Sequence, residues 1–387
     1  VALVRRSALI AATTILALTA LTACSGGDDS AGSASSAPAT TQDRSTGSPT
    51  STAAKDEPTG ADLRPVVTGV IAGGFTSPWG LAFLPDGSAL VSERDTARIK
   101  RVTAAGRVTT VGRVPGVVPG GEGGLLGLAI SPDFDQNRWL YAYFTSDRDN
   151  RIVRMKYSNG ELGTLHPVLT GIAKAGIHNG GRIGFGPDGM LYAGVGEAGL
   201  RAPAQDLHSL SGKILRMTPT GKPAPRNPFD NSVVWTYGHR NPQGFTWDDS
   251  GRMWASEFGQ NTWDELNLIQ RGRNYGWPVV EGKADNNSYV NPVVQWHTDE
   301  ASPSGVAFTK SAIYMAALRG SRLWQIPLNG THAEKPRDFF VNKYGRLRTV
   351  VVAPDGSLWL TTSNTDGRGA PRANDDKILR IQLRPQG

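Results

Sequence analysis

GLAFLPDGSALVSE, residues 80–93, holds a short alternating apolar run, a Pro-Asp-Gly turn and a second alternating run. Pro presets φ for a turn and Gly tolerates the backbone that ends one, so the phrase reads as two antiparallel strands joined tightly. Five further versions follow: GLAISPDFDQNRWLYAYF (127–144), RIGFGPDGMLYAGVGE (182–197), GFTWDDSGRMWASE (244–257), GVAFTKSAIYMAAL (305–318) and TVVVAPDGSLWLTT (349–362). A third run follows each copy after a variable loop: ARIKRV (97–102), RIVRMKY (151–157), KILRM (213–217), ELNLI (265–269), RLWQI (322–326) and KILRI (377–381). A spacing of about 45 to 60 residues with several short strands per unit is the signature of a β-propeller. Six copies therefore predict an all-β fold, a six-bladed β-propeller. No long amphipathic helical stretch interrupts the pattern, which argues against an α/β barrel, and the 47 Gly and 25 Pro supply many tight turns.

The residues ahead of the repeats read differently. Arg5 and Arg6 form a basic start, Ala8 to Leu21 an apolar run too short for a comfortable membrane span, and Leu21-Thr22-Ala23-Cys24 places small residues before a cysteine. This resembles a bacterial lipobox: residues 1–24 are expected to be a lipoprotein signal peptide cleaved before Cys24. Lipid on Cys24 would tether the mature protein to the outer face of the cytoplasmic membrane, after secretory rather than twin-arginine export. Val1 is read as an alternative start codon. Cys24 is the only cysteine, which excludes disulfides and cysteine-based zinc or redox sites. Residues 25–62, rich in Ser, Ala, Thr, Gly, Asp and Pro, are expected to be a disordered linker, because they bury too little apolar surface to offset ordering. The propeller is expected over residues 63–385.

The net charge of +7 is compatible with nucleic-acid binding, but Lys and Arg are scattered and no nucleic-acid motif occurs. A pocket for an acidic small molecule fits better, since only a few cations need converge. In a propeller the residues flanking the alternating runs meet at one mouth, even from different repeats. YGHRNPQG (237–244) sets Arg240 and Asn241 at such a place, where both face either water or a polar ligand.

YGHRNPQG, together with EGGLLGLAISPDF (122–134), HNGGRIGFGPDG (178–189), AQDLHSLSGKILR (204–216), DELNLIQRGRNYGWP (264–278) and GRLRTVVVAPDG (345–356), resembles the soluble pyrroloquinoline-quinone (PQQ)-dependent aldose sugar and glucose/sorbosone dehydrogenases. The resemblance runs from about Val70 to Ile381. It implies a six-bladed propeller that oxidises the anomeric hydroxyl of an aldose to a lactone and passes the electrons to an external acceptor. PQQ is a tricarboxylate, for which planar bidentate Arg is the better partner. The resemblance implies that Arg240, Asn241, Arg346 and Arg348 bind it, the last two pointing to one face of a strand. Glu122, where relatives carry Gln, and Arg319, near the place of a Lys, are carried over as further contacts; Glu122 would repel a tricarboxylate unless protonated or turned toward an Arg.

His178 matches the family's catalytic base, whose neutral imidazole takes the hydroxyl proton. His239 is expected to pack or bond locally. The residue before the base is Asp in the glucose dehydrogenase branch and Ile177 here, which leaves Asp206 or Glu197 as candidate orienting carboxylates and suggests a different substrate range. The resemblance also implies calcium on the backbone carbonyls of Gly259 and Gln260, where relatives have Gly-Pro, and a second, structural calcium on Glu265 and the Tyr275 carbonyl. The acidic pair Asp264 and Glu265 is equally compatible with a solvated or strand-capping role. Two other readings stay open: a calcium-dependent lactonase-type hydrolase, which needs inward Asp, Asn and Glu around one metal, and a non-catalytic cell-surface binding module. The sugar, the acceptor and the oligomeric state are not legible.

Overall fold

The computed structural model describes residues 58–386. Cys24, the signal peptide and most of the expected linker lie outside the described residues. The described chain forms six antiparallel sheets of four or five strands. Its helical content is one turn at Phe134–Asn137 and a 3-10 turn at Ala202–Ala204.

Each sheet is one blade, and each repeat phrase supplies its first two strands. Blade one runs Pro78–Phe83, Ala89–Glu93, Arg98–Val102, Val108–Arg113. Blade two is built on Leu125–Ile130 and Trp139–Thr145, blade three on Ile183–Phe185 and Leu191–Val195, blade four on Pro242–Trp247 and Met253–Glu257. Blade five begins with Pro303–Thr309 and Ala312–Ala317, and blade six with Leu347–Val352 and Leu358–Thr362. The first strand of each blade packs against that of the next, except that Pro242–Trp247 of blade four lies mainly against the second strand of blade three, so six inner strands surround an axis. The third runs form the third strands, as in Lys213–Met217 and Ile378–Pro385.

The fourth strand of blade six comes from the other end of the described chain. Leu63–Ala72 pairs antiparallel with Ile378–Pro385, from Leu63 opposite Pro385 to Ala72 opposite Ile378. The ring is thus closed by hydrogen bonds between its two ends. Ordered contacts begin slightly before Leu63: Gly60 is buried, and Gln325 Nε2 and Arg337 Nη2 donate to its carbonyl at 2.9 Å each.

Six apolar clusters lie between the six pairs of adjoining blades, for example Leu90 and Ile99 against Leu125 and Phe144, or Tyr192 and Ile214 against Phe245 and Met253. A blade is therefore covered on both faces. Its second strand is buried at every residue, as at Ala89–Glu93 and Met253–Glu257, except for Trp139 at the start of the second strand of blade two.

Near the axis the backbones themselves touch. A Cβ on Gly244 would meet the Ser304 carbonyl oxygen at 2.0 Å, and one on Gly127 the Gly181 carbonyl oxygen at 2.2 Å. Hydroxyls bridge the same seams: Ser92 Oγ donates to Leu126 O at 2.5 Å, Ser256 Oγ to Ser304 O at 2.6 Å and Thr349 Oγ1 to Trp79 O at 2.6 Å.

Gly244→Ala forces this seam apart and is expected to cost about 1–3 kcal/mol. Gly69→Ala, where nothing lies within 4 Å of the new Cβ, should stay within about 0.5 kcal/mol of wild type. Thermal or denaturant unfolding of the two variants side by side checks both values.

Candidate active site

In an antiparallel hairpin the start of the first strand and the end of the second lie side by side. Every blade therefore delivers both to one end of the ring. There a cavity of about 270 Å³ opens, lined by Trp79 and Arg94 of blade one, Glu122, His178, Arg240, Asn241, Gln243, Gly259, Gln260, Asp264, Arg319, Arg346, Arg348, Asp366 and Arg368, among others. Six arginines face it against three carboxylates, Glu122, Asp264 and Asp366.

His178 stands five residues before the inner strand of blade three, with a left-handed φ of 54°. Such a backbone is strained for a non-glycine residue and persists only when its surroundings hold it. Here Glu122 Oε2 accepts the His178 N–H at 2.9 Å and the His178 carbonyl accepts Ala198 N–H at 3.1 Å. The ring Nδ1 bonds Glu197 Oε1, and Arg240 Nη2 lies 2.9 Å from Nε2. Arg is only a donor, so Nε2 accepts and Nδ1 carries the ring proton. The neutral ring is thus held between a carboxylate and a guanidinium, with its lone pair on Nε2.

Glu197, just past the second strand of blade three, is the carboxylate that orients the ring. Burial raises its carboxyl, but hydrogen bonds from the His178 ring and the Arg201 N–H outweigh burial and hold it below the ordinary value. Asp206, the other candidate, is exposed and accepts the His208 N–H at 2.9 Å. Ile177 is 42 % exposed.

Arg240 and Asn241 open blade four. Besides His178, Arg240 reaches Gln260 Oε1 through Nε at 3.0 Å and the Phe258 carbonyl through Nη1 at 3.3 Å, and its guanidinium lies 5.5 Å over Trp277. Desolvation weakens its hold on its proton, opposed by the Glu197, Glu257 and Glu122 charges. Asn241 Oδ1 accepts the Gly180 N–H at 2.9 Å and ties blade four to the His178 loop. Glu257 accepts the backbone N–H of Arg240 and Asn241, and its other oxygen meets His239 Nδ1 at 2.8 Å. His239 also bonds Thr236 Oγ1 at 2.8 Å and stacks on Tyr275, so it is a structural histidine.

Arg346 and Arg348 of blade six share Asp366 Oδ2, at 3.0 and 3.4 Å. Arg348 also meets Ser363 Oγ at 3.1 Å and Gln243 Oε1 at 3.3 Å. Desolvation pushes its guanidinium down to about 10, with Asp366 opposing. Arg319 is exposed at the rim; among the described residues its guanidinium has no hydrogen bond or ion pair. Glu122 lines the cavity but is turned: one oxygen holds the His178 N–H and the other meets Arg368 Nη2 at 3.1 Å. Its carboxylate organises the base loop, which removes the repulsion expected against an anionic ligand.

Gly259 and Gln260 border the cavity beside Asp264. The Gly259 N–H donates to Asp264 Oδ1 at 2.9 Å, and the Gln260 N–H to Glu281 Oε1 at 2.7 Å. Burial pushes the Asp264 carboxyl up to about 6, and among the described residues no cation lies within ion-pairing distance of it. Glu265 and Tyr275 do not reach this cavity. They border a separate void of about 10 Å³ with Glu257 and Glu281. Glu265 accepts from Gly282 N–H at 2.8 Å and Asn267 Nδ2 at 2.9 Å; burial, then the Glu257 charge, pushes it up to about 8. No group of three or more His, Cys, Asp or Glu side chains among the described residues is arranged to hold a metal.

Sequence reasoning missed Arg94, Arg368, Asp366, Trp79 and Gln243, and it weighed Asp264 only as the acidic neighbour of Glu265, not as a residue of this cavity. One signal was available: three repeat phrases end in Glu, at 93, 197 and 257, and each of these is buried and clamps the loop beside it.

A family model described as Glucose / Sorbosone dehydrogenase matches residues 75–379. The aldose sugar dehydrogenase YliI of Escherichia coli K12 is 29% identical over 327 residues, 75% of this chain and 88% of that one. The PQQ-bound structure of an aldose sugar dehydrogenase from Streptomyces coelicolor shares 56% identity, covers 85% of this chain and 100% of its own, and superposes with a TM-score of 0.83. A Thermus thermophilus protein described as a putative oxidoreductase (glucose dehydrogenase) shares 43% identity over 83% of this chain and 100% of its own, with a TM-score of 0.78.

Because the Glu197 carboxyl is held below its ordinary value of 4.5, the stability it contributes is present above about pH 4.5 and disappears as pH falls through its folded value. Glu197→Gln should therefore melt lower than wild type at pH 7, and the gap should close in acid. Melting temperatures of both proteins from pH 7 to pH 3 test this.

Proposed function

The chain belongs to the glucose/sorbosone dehydrogenase family, and from that premise we propose that this oxidoreductase uses PQQ to oxidise the anomeric hydroxyl of an aldose to the lactone, passing the electrons to an external acceptor. One observation carries the reading: six arginines against three carboxylates surround a cavity that also holds an oriented neutral histidine. The excess of cations suits a tricarboxylate. Arg346 and Arg348 are aligned by Asp366, Arg319 has a guanidinium uncommitted among the described residues, and Asn241 adds a polar edge. Glu122, neutralised by Arg368, is compatible with the same ligand.

Held by these arginines and Asn241, PQQ would supply a quinone carbonyl as the hydride acceptor, and calcium would supply a Lewis acid for it. His178 takes the hydroxyl proton on Nε2 as the anomeric carbon loses its hydrogen as hydride, so the O–H and C–H bonds break and the anomeric C–O bond becomes the C=O of the lactone. Glu197 keeps Nδ1 protonated and stabilises the imidazolium that forms. Arg240 must give way at Nε2 to the sugar hydroxyl, and its bonds to Gln260 and Phe258 offer it another resting place.

The Gly259 and Gln260 carbonyls are assigned to calcium, with support from Asp264 beside them, an oxygen donor without a cation partner among the described residues. The second calcium, on Glu265 and the Tyr275 carbonyl, rests on the void of about 10 Å³ they border and the raised Glu265 carboxyl. The lactonase-type alternative is less favoured, because two of the three carboxylates that face the cavity, Glu122 and Asp366, are paired with arginines. The reading places the enzyme outside the cytoplasm, tethered by lipid on Cys24, as its lipobox-like sequence suggests.

Apo-protein loaded with PQQ and calcium should reduce an artificial dye in the presence of one or more aldoses; absence of both PQQ binding and sugar-dependent reduction overturns the proposal. His178→Ala should lower kcat by about 10²- to 10⁴-fold while PQQ affinity, measured by titration, changes little. Equal loss of both would make His178 structural.

A further inference from the structure

Arg182 lies near the cavity and has no part in the chemistry above. It precedes the inner strand of blade three, yet its Nη2 donates to Thr349 Oγ1 of blade six at 3.1 Å. Blades three and six stand opposite in a ring of six, so the side chain crosses the axis. Its Nε donates to the Gln243 carbonyl of blade four at 2.8 Å, and its guanidinium lies 4.5 Å over the Trp79 ring of blade one. Trp79 and Gln243 line the cavity. Arg182 therefore sits one side chain beneath the cavity and joins four blades there.

No carboxylate lies within ion-pairing distance of Arg182 among the described residues, whereas Arg346 and Arg348 share Asp366. Its partners are a carbonyl, a hydroxyl and an aromatic face. Arg182 is half-buried, but protein surrounds its guanidinium: desolvation, then the Arg348 charge, loosens its proton. A poorly hydrated charge without a counter-ion is unfavourable until an anion completes it.

We propose that Arg182 is a positioning residue for the anionic cofactor, its unpaired charge beneath Trp79 being completed by the carboxylates of the ligand that fills the cavity. This rests on the PQQ reading. It differs from a purely mechanical role, in which Arg182 only pins four blades together, because removing the charge then weakens binding without destabilising the empty protein.

Three variants separate the two roles: Arg182→Lys keeps the charge, Arg182→Gln keeps polar contacts without charge, and Arg182→Met removes both. PQQ binding to the calcium-loaded apo-protein is measured by calorimetric titration at two salt concentrations, and melting temperature with and without PQQ. Arg182→Gln and Arg182→Met should bind PQQ about tenfold more weakly, with a shallower salt dependence, yet melt no lower than wild type when empty. Arg182→Lys should stay within about threefold of wild type. Wild-type affinity in Arg182→Met, or equal loss of empty-protein stability in all three variants with affinity unchanged, overturns the inference while leaving the PQQ reading intact. Failure of wild type to bind PQQ overturns the PQQ reading and this inference with it.

Discussion

Neighbouring inner strands approach so closely that no Cβ fits between them, and the rest of the molecule follows from that constraint. Gly80, Gly127, Gly244 and Gly305 each face backbone atoms of the next blade at distances that a side chain would violate. Hydroxyls of Ser92, Ser256 and Thr349 satisfy carbonyls across the same seams. Buried backbone groups thereby find partners, and the six apolar clusters between blades supply the area that holds the ring together. Close approach at the axis also forces the loops at one end into a single cavity.

That cavity gathers like charges. Arg94, Arg240, Arg319, Arg346, Arg348 and Arg368 face one space, an arrangement that repulsion disfavours unless carboxylates divide it. Asp366 serves Arg346 and Arg348, Glu122 serves Arg368, and Glu257 fixes the backbone that presents Arg240. The surplus that remains is positive, which is what a site for an anionic ligand requires. His178 is placed by the same logic: Glu122 holds its strained backbone, Glu197 its ring, and Arg240 its open nitrogen.

Much of the blade structure was legible. Pro-Asp-Gly turns and alternating runs mark the first two strands of the blades, and runs such as KILRM and KILRI mark the third, because both signals are local. Leu63–Ala72 was not legible as the closing strand: it matches no repeat phrase, and its partner lies at the other end of the described chain. In the site, Arg240, Arg346 and His178 sit in phrases with recognisable neighbours. Asp366 and Arg368 lie in a loop unlike the other repeats, and Arg94 follows a Glu whose clamping role is invisible without the fold. Glu197 and Asp206 looked equally suited to orient the base, and only the path of the chain separates them.

The sequence alone determined the strand pattern, the number of blades and the residue types gathered at strand ends, since turn chemistry and period-two burial act between neighbours in the chain. Tertiary structure decided which residues meet: Glu197 rather than Asp206 at His178, Glu122 turned to a backbone N–H, and Arg182 crossing the axis to Thr349. Those contacts depend on the close approach of glycine-bearing backbones from different blades, a distance that no local pattern encodes.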